Sequence, residues 1–129
     1  MSIQHPVIAV TGSSGAGTTT VMSSFANIFR REGINAQMIE GDAFHRYDRL
    51  EMRAKMKEAA AQGNPHFSHF GPEANLFAEL ESLFREYGQR GAGRFRKYLH
   101  DDAEAAPYNQ PPGTFTAWEP VPPATDLLF

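Results

Sequence analysis

The sequence has 129 residues, 41% of them apolar and 21% charged, with a net charge of −3 and no cysteine. That length allows one domain, and the composition is that of a folded chain, with disulfide scaffolds and thiolate metal sites excluded. The acidic balance argues against nucleic acid or an anionic membrane as partner; no apolar run approaches the roughly 18 residues of a span, and Met1–Pro6 lacks the layout of a signal peptide, so a cytoplasmic location is expected.

Pro6 to Gly12 predicts a short buried strand, apolar, β-branched and closed by glycine. A helix is expected to start near Gly17, with Val21, Phe25, Ile28 and Phe29 on one face. Arg30 and Arg31 suit its last turn and Gly33 its end. Ala36 to Glu40 predicts a second strand, ended by Gly41. Asp48, with Glu51 three residues on, predicts the cap of a helix that runs to about Gln62 and stops at Gly63.

Asn64 to Gly71 is a loop carrying His66 and His69, and Pro72 suits the first position of a third helix. That helix has Leu76, Leu80, Leu83, Phe84 and Tyr87 on its apolar stripe and ends at Gly88 and Gly91; Phe77, Phe84 and Tyr87 are expected in the core. Residues 107–123 are proline-rich, with a short strand expected around Thr114 to Trp118, and "TDLLF" reads as the start of a buried strand. A chain seldom stops inside a core strand, so the sequence is expected to be the N-terminal part of something longer. The β-loop-α-β order predicts a parallel sheet with helices on its faces.

"TGSSGAGTTT", Thr11 to Thr20, has the glycine spacing of a phosphate-binding loop. Such loops converge backbone N–H groups on phosphate oxygens and add the positive end of the next helix. Gly12 and Gly17 take the two glycine positions, Gly15 is extra, and Thr19 takes the position of the hydroxyl that binds Mg²⁺. Thr18 stands where the lysine is usual, so a phosphotransferase built on this loop needs another Arg or Lys at the transferring phosphate.

"IEGDAFHRYDRLEM", Ile39 to Met52, follows the second strand, at the end that faces a ligand crevice in parallel sheets. Asp42 is placed to accept a proton from a substrate hydroxyl. His45 and Arg49, four apart, would share one side of a helical turn, and a pair of cations suggests an anionic group such as a phosphate. Asp48 is read as a cap and Arg46 as surface. His66 and His69 lack a third ligand at metal spacing. The basic run Arg90 to Lys97 is flanked by acids and reads as phosphate contacts or a solvated strand, not an RNA surface.

The stretches "HPVIAVTGSSGAGTTT", "IEGDAFHRYDR", "FSHFGPEAN", "YLHDDAEAAPYNQPPGTFTAWEP" and "TDLLF" closely resemble bacterial-type phosphoribulokinases of the phosphoribulokinase/uridine kinase family, along essentially the whole chain. The resemblance implies an α/β fold of the P-loop NTPase type: an adenylate-kinase-like three-layer sandwich with a mostly parallel sheet. Residues 1–129 would be the N-terminal part of a single such domain, truncated. It implies transfer of the γ-phosphoryl group of ATP to ribulose 5-phosphate, giving ribulose 1,5-bisphosphate for carbon fixation, and a loop without lysine is typical of the bacterial type.

By position, Gly12, Ser13, Ser14, Gly15, Ala16, Gly17, Thr18, Thr19 and Thr20 look like the ATP-phosphate loop, with Thr19 near Mg²⁺. Asp42 resembles the base that deprotonates the sugar 1-hydroxyl. His45 and Arg49 resemble sugar-phosphate ligands, and within Arg96 to Asp101 the expected sugar contacts are Tyr98 and His100. Arg31 resembles a residue linked to allosteric control by NADH, and self-association into a homo-oligomer is expected. The family's chains run more than twice this length, with a Mg²⁺-holding acid and the compensating Lys and Arg farther on. The alternatives are a P-loop kinase of another sugar phosphate or a nucleoside, and an inactive nucleotide-binding fragment.

Overall fold

The structure, a computed structural model, describes residues 2–13 and 15–129, so Ser14 of the expected phosphate loop lies outside the described residues. In chain order the elements are α1 (Thr18–Arg31), β1 (Ala36–Gln37), α2 (Arg49–Ala61), α3 (Phe77–Arg90), β2 (Arg94–Phe95), β3 (Tyr98–Leu99), α4 (Asp102–Ala105), β4 (Thr114–Phe115), β5 (Glu119–Pro120) and β6 (Leu127–Leu128). Short 3₁₀ turns lie at Gly41–Phe44, Pro72–Ala74 and Ala106–Tyr108. The chain forms two compact units, one of Met1–Ile39, Leu83–Arg94 and Pro120–Phe129, the other of Glu40–Ser82 and Phe95–Glu119.

In the first unit β6 lies between two parallel neighbours. It pairs with β1 in the register Ala36↔Leu127 and Gln37↔Leu128, and bridges Val7 on its other side. The ladder continues through Ile8 N to Leu128 O at 2.9 Å and Ile39 N to Phe129 O at 2.7 Å. Leu127 and Leu128 are buried, as a central parallel strand requires. Phe129 extends this core, its ring 5.1 Å from Phe25 and 5.3 Å from Phe29 of α1. Tyr87 of α3 is buried too, and its hydroxyl donates to Thr125 O at 3.2 Å.

Gly91 ends α3 at φ 66, and any Cβ there would come within 2.7 Å of the His5 ring, which packs edge-on against Tyr87. Glycine alone meets both demands.

The second unit is built around Ala43, Phe44, Met52, Ala74, Phe95, Leu99 and Ala105. β3 and β4 pair antiparallel, Tyr98 opposite Phe115 and Leu99 opposite Thr114. α2 starts as the sequence predicts, with a complete capping box: Glu51 N donates to Asp48 Oδ1 at 2.9 Å and Asp48 N to Glu51 Oε1 at 3.3 Å.

Four expectations are corrected. The Pro6–Gly12 stretch is not a buried strand: Val7 makes one isolated bridge, and Ile8 and Val10 are 38% and 45% exposed. An apolar run is buried only if neighbours cover it, and among the described residues β6 covers one edge. Pro72 opens a separate 3₁₀ turn, because Asn75 adopts an extended backbone and breaks it from α3. Gly88 lies inside α3, which stops only where Gly91 turns left-handed. Phe77 is 50% exposed, since the first turn of α3 carries it off the face that buries Leu83 and Tyr87.

The capping box is local and separable from the rest of α2. Asp48→Ala is expected to lower stability by about 1 kcal/mol in chemical denaturation, and Asp48→Ser, which keeps an acceptor, by much less.

Candidate active site

The phosphate-loop residues lie in the first unit. Ala16 N donates to Ser13 O at 3.0 Å, and Gly15 and Gly17 take φ 80 and φ 85, the left-handed values a tight loop of alternating amides needs. Gly12 has a different reason to be glycine: a Cβ there would approach the Ala16 Cβ at 3.1 Å and the Thr18 methyl at 3.3 Å. α1 begins at Thr18 with no side-chain cap on Gly17 and no acid in its first turn. Its leading N–H groups and positive dipole end therefore face solvent without a built-in anion. Thr18, Thr19 and Thr20 are exposed on that first turn.

The second constellation lies in the second unit and is centred on Asp42, in the 3₁₀ turn Gly41–Phe44. His45 Nε2 stands 3.3 Å from Asp42 Oδ1, and His100 Nε2 3.1 Å from Asp42 Oδ2. Each imidazole is held from behind: His45 Nδ1 is 2.8 Å from Asn75 Oδ1, and His100 Nδ1 is 2.9 Å from Glu104 Oε2. Arg49 reaches the same place by donating from Nη2 to His100 O at 2.8 Å, and the Tyr98 ring meets the His100 ring edge-on at 4.8 Å.

The electrostatics follow from these contacts. The hydrogen bond from His45, opposed by partial burial and joined by that from His100, holds the Asp42 carboxyl down to about 2. Its bond to Asp42 raises His45 against burial, with Asn75 adding to the rise. Burial pulls His100 down, but the bonds to Glu104 and Asp42 outweigh it and the net shift is upward. Burial pushes Glu40 up, and the neighbouring carboxylates of Glu104 and Asp42 add to that against the pull of His100. At neutral pH Asp42 is a carboxylate between two imidazoles with raised proton affinity.

The structure gathers Asp42, His45, Arg49, Tyr98 and His100 at one place. It does not put His45 and Arg49 on one helical turn: His45 leaves the 3₁₀ turn with extended backbone, and Arg49 is the first residue of α2. His69 approaches the His45 ring at 6.2 Å, but no metal-binding group of three His, Asp or Glu exists among the described residues. Arg96 belongs to the backbone: it donates to Ala43 O and His45 O at 2.7 Å each.

Asn75 and Glu104 were missed. The i,i+4 spacing of His100 and Glu104 could have signalled that pair; Asn75 carries no local signal for its contact with His45.

The phosphoribulokinase/uridine kinase family profile matches residues 7–129. The chain is 64% identical over its 129 residues to the chromosomal phosphoribulokinase of Cupriavidus necator, covering 100% of this chain and 44% of that one. It is 63% identical over 126 residues to the phosphoribulokinase of Nitrobacter vulgaris, covering 98% of this chain and 43% of the other. A solved phosphoribulokinase from Rhodobacter spheroides superposes with a TM-score of 0.84 at 48% identity, over 98% of this chain and 42% of that one. The chain therefore has the α/β fold of a P-loop kinase, and it spans less than half the length of the curated relatives it matches.

The ion pairs make a pH-dependent contribution with a definite sign. Asp42 is depressed from 3.8, so its contribution is present above that value and lost as pH falls toward 2. His45 and His100 are raised from 6.5, so theirs is present below that value and lost as pH rises through their folded values. The melting-temperature difference between wild type and Asp42→Asn is expected to peak between pH 3.8 and 6.5 and to shrink on both sides. A difference that is flat across pH would show that the histidines are not its charge partners.

Proposed function

Because the chain belongs to the phosphoribulokinase/uridine kinase family, we propose that the protein transfers the γ-phosphoryl group of ATP to the 1-hydroxyl of D-ribulose 5-phosphate, giving D-ribulose 1,5-bisphosphate for Calvin-cycle carbon fixation. Residues 1–129 are read as the N-terminal part of one P-loop kinase domain. The observation that carries the reading is the ionised Asp42 carboxylate bracketed by His45 and His100. A carboxylate held against imidazolium groups is a proton acceptor beside an anion-binding surface, which is what a phosphorylated alcohol requires.

In this reading the sugar phosphate displaces the imidazoles from Asp42. His45, Arg49 and His100 turn their N–H groups to the phosphate, and Tyr98 borders the sugar. Freed of those donors, Asp42 recovers proton affinity and takes the proton of the 1-hydroxyl. The oxygen forms its bond to the γ-phosphorus as the bond to the β-phosphate oxygen breaks and ADP leaves.

The loop Gly12, Ser13, Ser14, Gly15, Ala16, Gly17, Thr18, Thr19 and Thr20 holds the ATP phosphates through main-chain N–H groups. The exposed Thr19 hydroxyl would be one protein ligand for Mg²⁺, an ion that usually takes only one or two. When bound it neutralises charge on the β/γ-phosphates. Self-association into a homo-oligomer, control by NADH through the exposed Arg31 in the last turn of α1, and a cytoplasmic location complete the reading.

The cationic pair favours a phosphorylated substrate over a plain nucleoside. A coupled ADP-release assay of the complete gene product with ribulose 5-phosphate and with uridine tests that preference. Asp42→Asn is expected to keep ATP binding, measured by calorimetry, and to lower kcat by about a thousandfold. Near-normal turnover in that variant removes Asp42 from the role of base, and preference for uridine overturns the substrate class.

A further inference from the structure

We propose that Asn75 is a positioning residue for the Asp42 centre, fixing His45 in the form protonated on Nδ1 so that Nε2 is the atom aimed at the carboxylate. Asn75 is 8% exposed and faces His45 across an antiparallel bridge. Its Nδ2 lies 2.7 Å from His69 O and 2.8 Å from Gly71 O. Carbonyl oxygens only accept, so both must face the amino side of the amide; a flipped amide would set Oδ1 against two acceptors. Oδ1 is therefore the atom 2.8 Å from His45 Nδ1, and there it can only accept. His45 Nδ1 carries a hydrogen.

That assignment decides what Nε2 does, 3.3 Å from Asp42 Oδ1. With Nδ1 already protonated, Nε2 either carries the second proton and donates to the carboxylate or turns a lone pair toward it. The lone pair is repelled while Asp42 is ionised, which favours the doubly protonated ring. The groups facing His45 are Asp42, Asn75, the His69 ring and the Arg96 guanidinium on its carbonyl oxygen. Asn75 among them directs the ring without adding charge. His100 has its equivalent support from Glu104, which is exposed and carries a charge of its own.

Asn75 also ties the loop carbonyls of His69 and Gly71, so the test must separate holding the loop from directing the ring. Nitrogen-15 NMR of the histidine-labelled complete protein reads the tautomer directly, with His45 assigned by its loss in His45→Gln. Wild type is expected to show a hydrogen on His45 Nδ1, with Nε2 protonated as well while Asp42 is ionised. Neutral His45 protonated on Nε2 in wild type overturns the proposal, whether or not any variant folds.

Asn75→Asp keeps the acceptor and loses the donors to the loop, while Asn75→Leu loses both. The expected results are a retained Nδ1–H and raised His45 pKa in the Asp variant, and a shift toward Nε2–H in the Leu variant. Only the kinetic consequence rests on the kinase reading: kcat/KM for ribulose 5-phosphate should fall about tenfold further in the Leu than in the Asp variant. Equal losses in both, with the His45 tautomer unchanged, would make Asn75 a loop anchor only. The expected tautomer in a protein that turns over no sugar phosphate would leave this proposal standing and sink the kinase reading.

Discussion

Arg96 lies with its guanidinium 3.7 Å from the centre of the Phe115 ring and 4.6 Å from that of Trp118, and donates to the carbonyls of Ala43 and His45. Those two carbonyls belong to the turn that carries Asp42 and to the residue beside it. A planar fork stacked on aromatic faces has its direction set by the rings, and the turn is set by the fork. Burial lowers the proton affinity of Arg96, with Glu51 and Glu79 acting the other way, yet a guanidinium stays charged across the working range. Lysine would offer a point charge without the second, fixed N–H. The geometry of the carboxylate thus begins with an arginine more than fifty residues away in sequence.

The same arrangement answers an apparent contradiction in the chemistry. A group held near 2 is a poor base, yet the proposed reaction would need Asp42 to have proton affinity at the moment of transfer. The depression comes first from the hydrogen bond of His45, opposed by burial and joined by that of His100. Donors on side chains can be drawn off by a competing anion. On the proposed reading, an incoming phosphate would draw off both imidazoles and release the carboxylate. Arg49 differs: its guanidinium is tied to His100 O, so it positions the backbone under His100 even in the absence of an anion.

Helix ends were legible wherever the signal is local. Asp48 and Glu51 lie three apart and cap α2 as their side-chain chemistry dictates, and Gly33 follows α1 at φ 68. Burial of the Val7–Val10 run was not legible, because it depends on neighbours that no local pattern specifies. Gly88 misled for the opposite reason: a glycine in a helix costs only about 1 kcal/mol, which tertiary packing of Leu83 and Tyr87 outweighs. Asp42, His45 and His100 could be picked out by residue type, position and resemblance, while the amide that orders them could not. Asn75 meets His45 across an antiparallel bridge between residues 30 apart, which forms only in the folded chain.

Thr18 is the remaining departure, and its packing makes sense of it. Its methyl lies 3.3 Å from where a Cβ on Gly12 would sit. Among the described residues, the loop offers left-handed glycines at 15 and 17 and the uncapped start of α1 to the proposed triphosphate. A helix end is worth about half an elementary charge, far less than a triphosphate carries. Such a loop can orient phosphates but leaves most of their charge uncompensated. Under the proposed kinase reading, binding at the loop and charge neutralisation at the transferring phosphate would be separate tasks, with the second falling to cations outside residues 12–20.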